Sequence, residues 1–102
     1  MSIEKKYMKS KKMCKVTFRL SKSETGGART VFLVGEFNDW AIRATPMKKL
    51  KDGSFKVVLD LPVGQEYQFR YLLDDDRWEN DWSADGYVYS AYGNCENSVI
   101  TV

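Results

Sequence analysis

Histidine is absent from the 102 residues of this chain. That removes His-based triads, His general bases and most zinc sites. There is no Gly-rich phosphate loop. Cysteine is scarce, and Cys14 and Cys95 form no metal spacing. Charge of one sign is also missing: the net charge of +2 is too small for a nucleic-acid footprint. No apolar run following Met1 makes a signal peptide, and none approaches transmembrane length. The expected compartment is therefore the cytoplasm, with reduced thiols. Neither nucleic acid nor a membrane is expected as a partner.

What is present reads as one domain of ordinary globular composition, 43% hydrophobic and 29% charged. Cys14 to Leu20 alternates, with Val16, Phe18 and Leu20 on one face. Arg29 to Val34 is apolar nearly throughout and reads as a strand buried on both faces. A long loop runs from Glu36 to Pro46, and a short strand is expected at Met47 to Leu50. Asp52-Gly53 marks a hairpin, followed by alternating Phe55, Val57, Leu59 and Leu61. Tyr67, Phe69, Tyr71 and Leu73 alternate next, which turns Gln68, Arg70 and Leu72 to the other face. A polar stretch from Asp74 to Asn97 holds one short strand near Tyr87 to Ser90, and Ser98 to Val102 closes the chain as a strand. Short strands at regular spacing indicate an all-β sandwich or barrel. The expected core comprises Val16, Phe18, Phe32, Val34, Phe55, Val57, Leu59, Phe69 and Tyr71. Residues 1–12, with Lys5, Lys6, Lys9, Lys11 and Lys12, read as a basic N-terminal arm, and residues 13–102 as the domain. Within the arm, Ile3, Tyr7 and Met8 suggest at most one helical turn.

All three tryptophans lie in polar surroundings: Trp40 after Gly35-Glu36-Phe37-Asn38-Asp39, and Trp78 and Trp82 in Arg77-Trp78-Glu79-Asn80-Asp81-Trp82. A large amphipathic ring in a polar loop often has a ligand to cover. For Trp40 and Trp78, capping the core is about as frequent a role as binding. For Trp82 a structural role in the loop is favoured.

Several runs together resemble one family. They are Val31-Phe32-Leu33-Val34-Gly35-Glu36-Phe37-Asn38-Asp39-Trp40, Asp52-Gly53-Ser54-Phe55, Leu59-Asp60-Leu61-Pro62-Val63-Gly64, Tyr67-Gln68-Phe69-Arg70-Tyr71 and Arg77-Trp78-Glu79-Asn80-Asp81, ending with Tyr92-Gly93-Asn94-Cys95-Glu96-Asn97-Ser98-Val99-Ile100. Their order over roughly residues 14–102 is similar to that of the family-forty-eight carbohydrate-binding modules, also called isoamylase early-set or glycogen-binding domains. The likeness extends to small free-standing bacterial proteins made of this domain alone. The resemblance implies an immunoglobulin-like β-sandwich of the early-set type. It also implies an α-glucan site at Trp40, Arg70 and Trp78, with an asparagine position at Asn97 or Ser98. Arg70 stands where many members have Lys, and Trp82 where many have Pro.

The chemistry fits such a ligand. A sugar ring offers C–H patches on its faces and hydroxyls at its edge. Two exposed indoles cover consecutive faces, the Arg70 fork donates to vicinal hydroxyls, and an Asn amide both donates and accepts. Each stacked ring contributes on the order of 1–3 kcal/mol by analogy with base stacking. Net of ordering, that places Kd roughly between micromolar and millimolar, an affinity useful on a polymer with many neighbouring sites.

The leading expectation is non-catalytic binding of glycogen or starch, with an enzyme of glycogen metabolism as a second partner in trans. The alternative is a protein-interaction or regulatory module docking on such an enzyme, its sugar site vestigial. Catalysis is not expected: a glycosidase needs two carboxyls flanking one bond, and a small sandwich offers the acidic run Asp74 to Asp85 no deep cleft. No cofactor and no metal are expected. Asp81, Ser83, Asp85 and Gly86 match the start of a calcium loop, but its twelfth position is Tyr92. Millimolar calcium should therefore leave the melting temperature where magnesium leaves it. A calcium-specific rise of several degrees in a thermal melt would contradict this.

Overall fold

The fold was analysed in a computed structural model that describes residues 1–90 and 95–102. Tyr92, Gly93 and Asn94, named above in the last matching run, lie outside the described residues. The strands are β1 (Ser2–Tyr7), β2 (Met13–Leu20), β3 (Val31–Gly35), β4 (Lys48–Lys49), β5 (Phe55–Pro62), β6 (Glu66–Leu73), β7 (Arg77–Glu79), β8 (Gly86–Ser90) and β9 (Cys95–Thr101). One 3₁₀ turn, Glu36–Asn38, follows β3. One sheet runs β1-β2-β5-β4 and the other β3-β6-β9-β8, with β7 also paired to β6. Every pairing is antiparallel. The chain is an immunoglobulin-like β-sandwich, all-β as its alternating runs dictate.

The two sheets meet through Val16, Phe18 and Leu20 of β2, Phe55 and Leu61 of β5, Val31 and Leu33 of β3, Phe69, Tyr71 and Leu73 of β6, and Ile100 of β9. Phe69 stands edge-on to both Phe18 and Tyr71, at ring separations of 5.4 and 5.7 Å. Such edge contacts add to the burial itself. Val57 and Leu59 pack on this core while partly buried.

Two of the expected core residues point the other way. Val31 and Leu33 face inward, so Phe32 and Val34 lie on the outer face of β3. Val34 is buried there opposite Arg70, and Phe32 sits beneath Arg43. Val34 is buried as expected, on the outer face, whereas Phe32 is only partly buried; an unbroken apolar run gives no parity signal to separate the two faces.

The N-terminal residues also differ from expectation. Ser2–Tyr7 are neither a solvated arm nor a helical turn: they form β1, paired along its length with β2 from Ser2↔Arg19 to Tyr7↔Cys14. Ile3 packs against the core, and Lys5 reaches Asp85 at 2.7 Å. Lysine on an edge strand keeps its charge in water while blunting edge-to-edge association.

Strand β6 carries the organisation of the second sheet. One edge pairs with β3. On the other edge, Glu66–Phe69 pair with β9 and Tyr71–Leu73 pair with β7. Arg70 falls at the change of partner.

Gly35 ends β3 opposite Phe69. Its backbone is extended, with φ at −170°, so the requirement for glycine is purely steric. A Cβ there would lie 2.6 Å from the Gln68 carbonyl oxygen, 2.7 Å from the Phe69 Cβ and 2.9 Å from the Phe37 ring. Two of those neighbours belong to the central strand and have no room to retreat. Gly35→Ala is expected to destabilise the fold by about 1–3 kcal/mol, as overpacking does, read in urea denaturation. Wild-type stability in that variant would show that β3 and β6 are not held this closely.

Candidate functional site

The turn after β3 shows how the run Gly35 to Trp40 is divided between structure and display. Phe37 folds back onto Phe18, Tyr67 and Phe69, at ring separations of 6.2, 6.1 and 6.2 Å. The Glu36 carboxylate accepts the Gln68 backbone N–H at 2.6 Å. The Asn38 side chain accepts from the Gly35 N–H at 3.1 Å and donates to the Leu33 carbonyl and the Thr45 hydroxyl, both at 2.9 Å. Four of the six residues are thus committed to holding the turn on the sheet. Trp40 is what the turn presents. Its N–H donates to the Gly35 carbonyl at 2.9 Å. Asp39 and Trp40 are both left-handed, at φ 55° and 58°. This conformation costs an L-residue on the order of 1–2 kcal/mol, and a bulky residue rarely adopts it. Strain of this kind persists where surrounding bonds over-determine it and gathers at ligand sites.

Trp78 comes from β7. Its register partner Leu72 places it on the outer face of β6, beside Arg70. The Arg70 guanidinium lies 5.4 Å from the Trp78 ring centroid. This is a cation–π contact that fixes both groups. Arg70 Nη1 also donates to the Cys95 thiol at 3.4 Å, while its buried Nε has no hydrogen-bond partner among the described residues. A buried donor without a partner is costly. Trp40 and Trp78 are similarly exposed, at 39% and 38%, the half-open condition a stacking surface needs. Together with Asn97, they and Arg70 line one open depression of about 560 Å³ on the outer face of the second sheet. The reading of Arg70 as outward-facing from the alternation of β6 agrees with this placement.

Of the two positions left open at the last turn, only Asn97 lines the depression; its amide donates to Gln68 Oε1 at 3.1 Å. Ser98 is fully buried on the opposite face of β9. There its hydroxyl donates to Asn80 Oδ1 at 2.8 Å and accepts the Asp81 N–H at 2.8 Å. Ser98 shares parity with Ile100 of the core, and that alternation was the signal that separates the two. Gln68, Ser90 and Cys95 also line the depression and were not singled out beforehand. Gln68 was legible as the same-face neighbour of Arg70. Cys95 was weighed only as a thiol.

The acidic run divides by role. Asp81 is fully buried, accepting from the Tyr71 hydroxyl at 2.6 Å and from the Ser83 N–H at 2.7 Å. Burial, and then the Asp81 charge, push the Tyr71 phenol well above its ordinary range, so it remains a donor. Asp85 binds Lys5 and the Thr101 N–H. The oxygens of the supposed calcium loop are therefore spent on the fold. Among the described residues no cluster of three His, Cys, Asp or Glu side chains is placed to hold a metal. Trp82, expected to serve the loop, is instead 67% exposed; its N–H lies 3.2 Å from the Met1 sulfur, beside the start of β1. It does not line the depression.

An immunoglobulin-like sandwich with an open aromatic platform on one sheet is the architecture of a carbohydrate-binding module. The family described as the glycogen recognition site of AMP-activated protein kinase matches residues 7–102, and the chain belongs to it. It is 36% identical over 75 residues to 5'-AMP-activated protein kinase subunit beta-1 of Sus scrofa, covering 74% of this chain and 57% of that protein. Subunit beta-1 of Homo sapiens is 35% identical over 75 residues, 74% of this chain and 26% of that protein. Subunit beta-2 of Mus musculus is 34% identical over 73 residues, 72% of this chain and 25% of that protein. The chain thus spans 57% of the first of these relatives and about a quarter of the others.

The left-handed backbone at Trp40 yields a direct comparison. Trp40→Ala and Trp40→Gly both delete the ring, but glycine alone relieves the strain. Trp40→Gly is expected to be more stable than Trp40→Ala by about 1 kcal/mol. Equal denaturation midpoints in the two variants would show that the backbone there is unstrained.

Proposed function

We propose that this chain binds α-glucan of the glycogen or starch type without catalysis, through Trp40, Arg70, Trp78 and Asn97. The observation that carries the reading is the pair of half-exposed indoles, one on the turn after β3 and one on β7, with the Arg70 guanidinium of the intervening strand β6 held against the Trp78 ring. The indoles take the C–H faces of successive glucose rings. Arg70 lines the depression with a planar fork suited to vicinal hydroxyls. Asn97, partnered on one side by Gln68, offers its carbonyl oxygen to a hydroxyl. Membership of a family described by glycogen recognition supports the same ligand.

A glycosidase role is unsupported by the geometry. No Asp or Glu lines the depression among the described residues, whereas bond cleavage requires two carboxyls across the ligand. The relatives are named as subunits of a kinase. By extension, the partner we propose is an enzyme acting on the same glucan, held near it by a shared polymer. Among the described residues no helix is long and apolar enough to cross a membrane. Glycogen and the two unpaired thiols both suit the cytoplasm, where we place the encounter. The run Trp78-Glu79-Asn80-Asp81-Trp82, which resembles that of the small free-standing bacterial proteins, supports a module of that type.

Co-sedimentation with glycogen tests the reading. Wild-type protein should pellet with glycogen, and Trp78→Ala should remain in the supernatant while melting within a few degrees of wild type, since a half-exposed ring contributes little to folding. A folded wild type that never pellets would favour the interaction-module alternative. A Trp78→Ala variant that unfolds would make the ring structural.

A further inference from the structure

We propose that the glucan chain held at Trp40 and Trp78 continues onto Arg43, which forms a further sugar-binding position above Phe32. The inference rests on the α-glucan reading and extends the same face. Trp78, Leu72 and Phe32 are direct register partners across β7, β6 and β3, so they form one apolar row on the outer sheet. Each end of the row carries an arginine over an aromatic ring. Arg70 lies 5.4 Å from the Trp78 centroid, and Arg43 lies 5.4 Å from the Phe32 centroid.

Arg43 is held in place. Its Nη2 meets the Asp75 carboxylate at 3.1 Å. Asp75 belongs to the turn between β6 and β7, whose position is fixed by Asp74: the Asp74 carboxylate accepts the Arg29 N–H at 2.7 Å and the Thr30 N–H at 3.1 Å. Those bonds hold the Asp74 carboxyl below its ordinary range, so the anchor remains ionised at neutral pH. Yet the Arg43 side chain is 68% exposed. An exposed ion pair of this kind adds little to stability, so folding does not account for so fixed an arginine. Its guanidinium carbon lies over the Phe32 ring, and most of the side chain is open to solvent. That surface suits the C–H face of a sugar ring, and the donors not engaged by Asp75 suit its hydroxyls. The loop that presents Trp40 also carries Arg43, so the two positions are three residues apart on one turn.

Neither Arg43 nor Phe32 lines the depression that Trp40 and Trp78 share, so only a ligand long enough to extend out of it would sense the position. Calorimetric titration with maltotriose and with maltoheptaose separates the cases, using wild type, Arg43→Ala and Arg43→Lys. Arg43→Ala should weaken maltoheptaose roughly tenfold, as loss of a charged hydrogen-bonding group does, and leave maltotriose within about a factor of two. Arg43→Lys keeps the charge without the planar fork and should resemble Arg43→Ala. Melting temperatures should be unchanged in both. Equal losses for the two sugars, or no loss for either, would overturn the extension while leaving the Trp40–Trp78 site intact. A wild type that binds neither sugar would overturn the glucan reading and the extension with it.

Discussion

The close approach of Gly35 to Phe69 is the contact on which the site depends. It lets β3 end against the central strand with no side chain between them. The chain can then turn at once, drop Phe37 into the core and lock the turn with Asn38. Only after that closure does the backbone pass through two left-handed residues and present Trp40 over the outer face of the sheet. Any side chain at position 35 would separate β3 from β6 and move the indole relative to Arg70. The motif is a mechanism for placing one ring, with most of its residues spent below the surface.

The second placement device is the change of partner along β6. Because β9 leaves at Phe69 and β7 joins at Tyr71, Arg70 faces a junction rather than a continuous ladder. The junction is sealed from beneath by Asn80 and Asp81, which bind Ser98 and Tyr71 in the interior. This is why a run of carboxylates and amides so close to the candidate site contributes no chemistry to it. A buried, fully partnered polar network fixes the crossing of three strands, and the surface above it is left to aromatic and neutral polar groups.

Much of this was legible in the chain. Strict alternation in β2 and β6 marks their inner faces and by itself turns Arg70 outward. Where alternation lapses, the reading failed. β3 is apolar on both faces, so its run gives no sign that Val31 and Leu33 face the other sheet while Phe32 and Val34 lie on the outer face. The lysines of β1 concealed a strand whose inward residues are few, and β7 has only three residues, too short for a periodic signal. The last strand shows the sharpest consequence of period-two geometry: Asn97 and Ser98 are adjacent, and one lines the depression while the other is buried behind it.

The central claim is that two of the three indoles form the glucan platform and the third does not. Each Trp gives its own indole N–H resonance, so a two-dimensional NMR titration with maltoheptaose reads all three together. The account predicts that the Trp40 and Trp78 signals move along one binding curve while the Trp82 signal stays in place. Movement of Trp82 with the others silent, or no movement of Trp40 and Trp78 at saturating sugar, would contradict it.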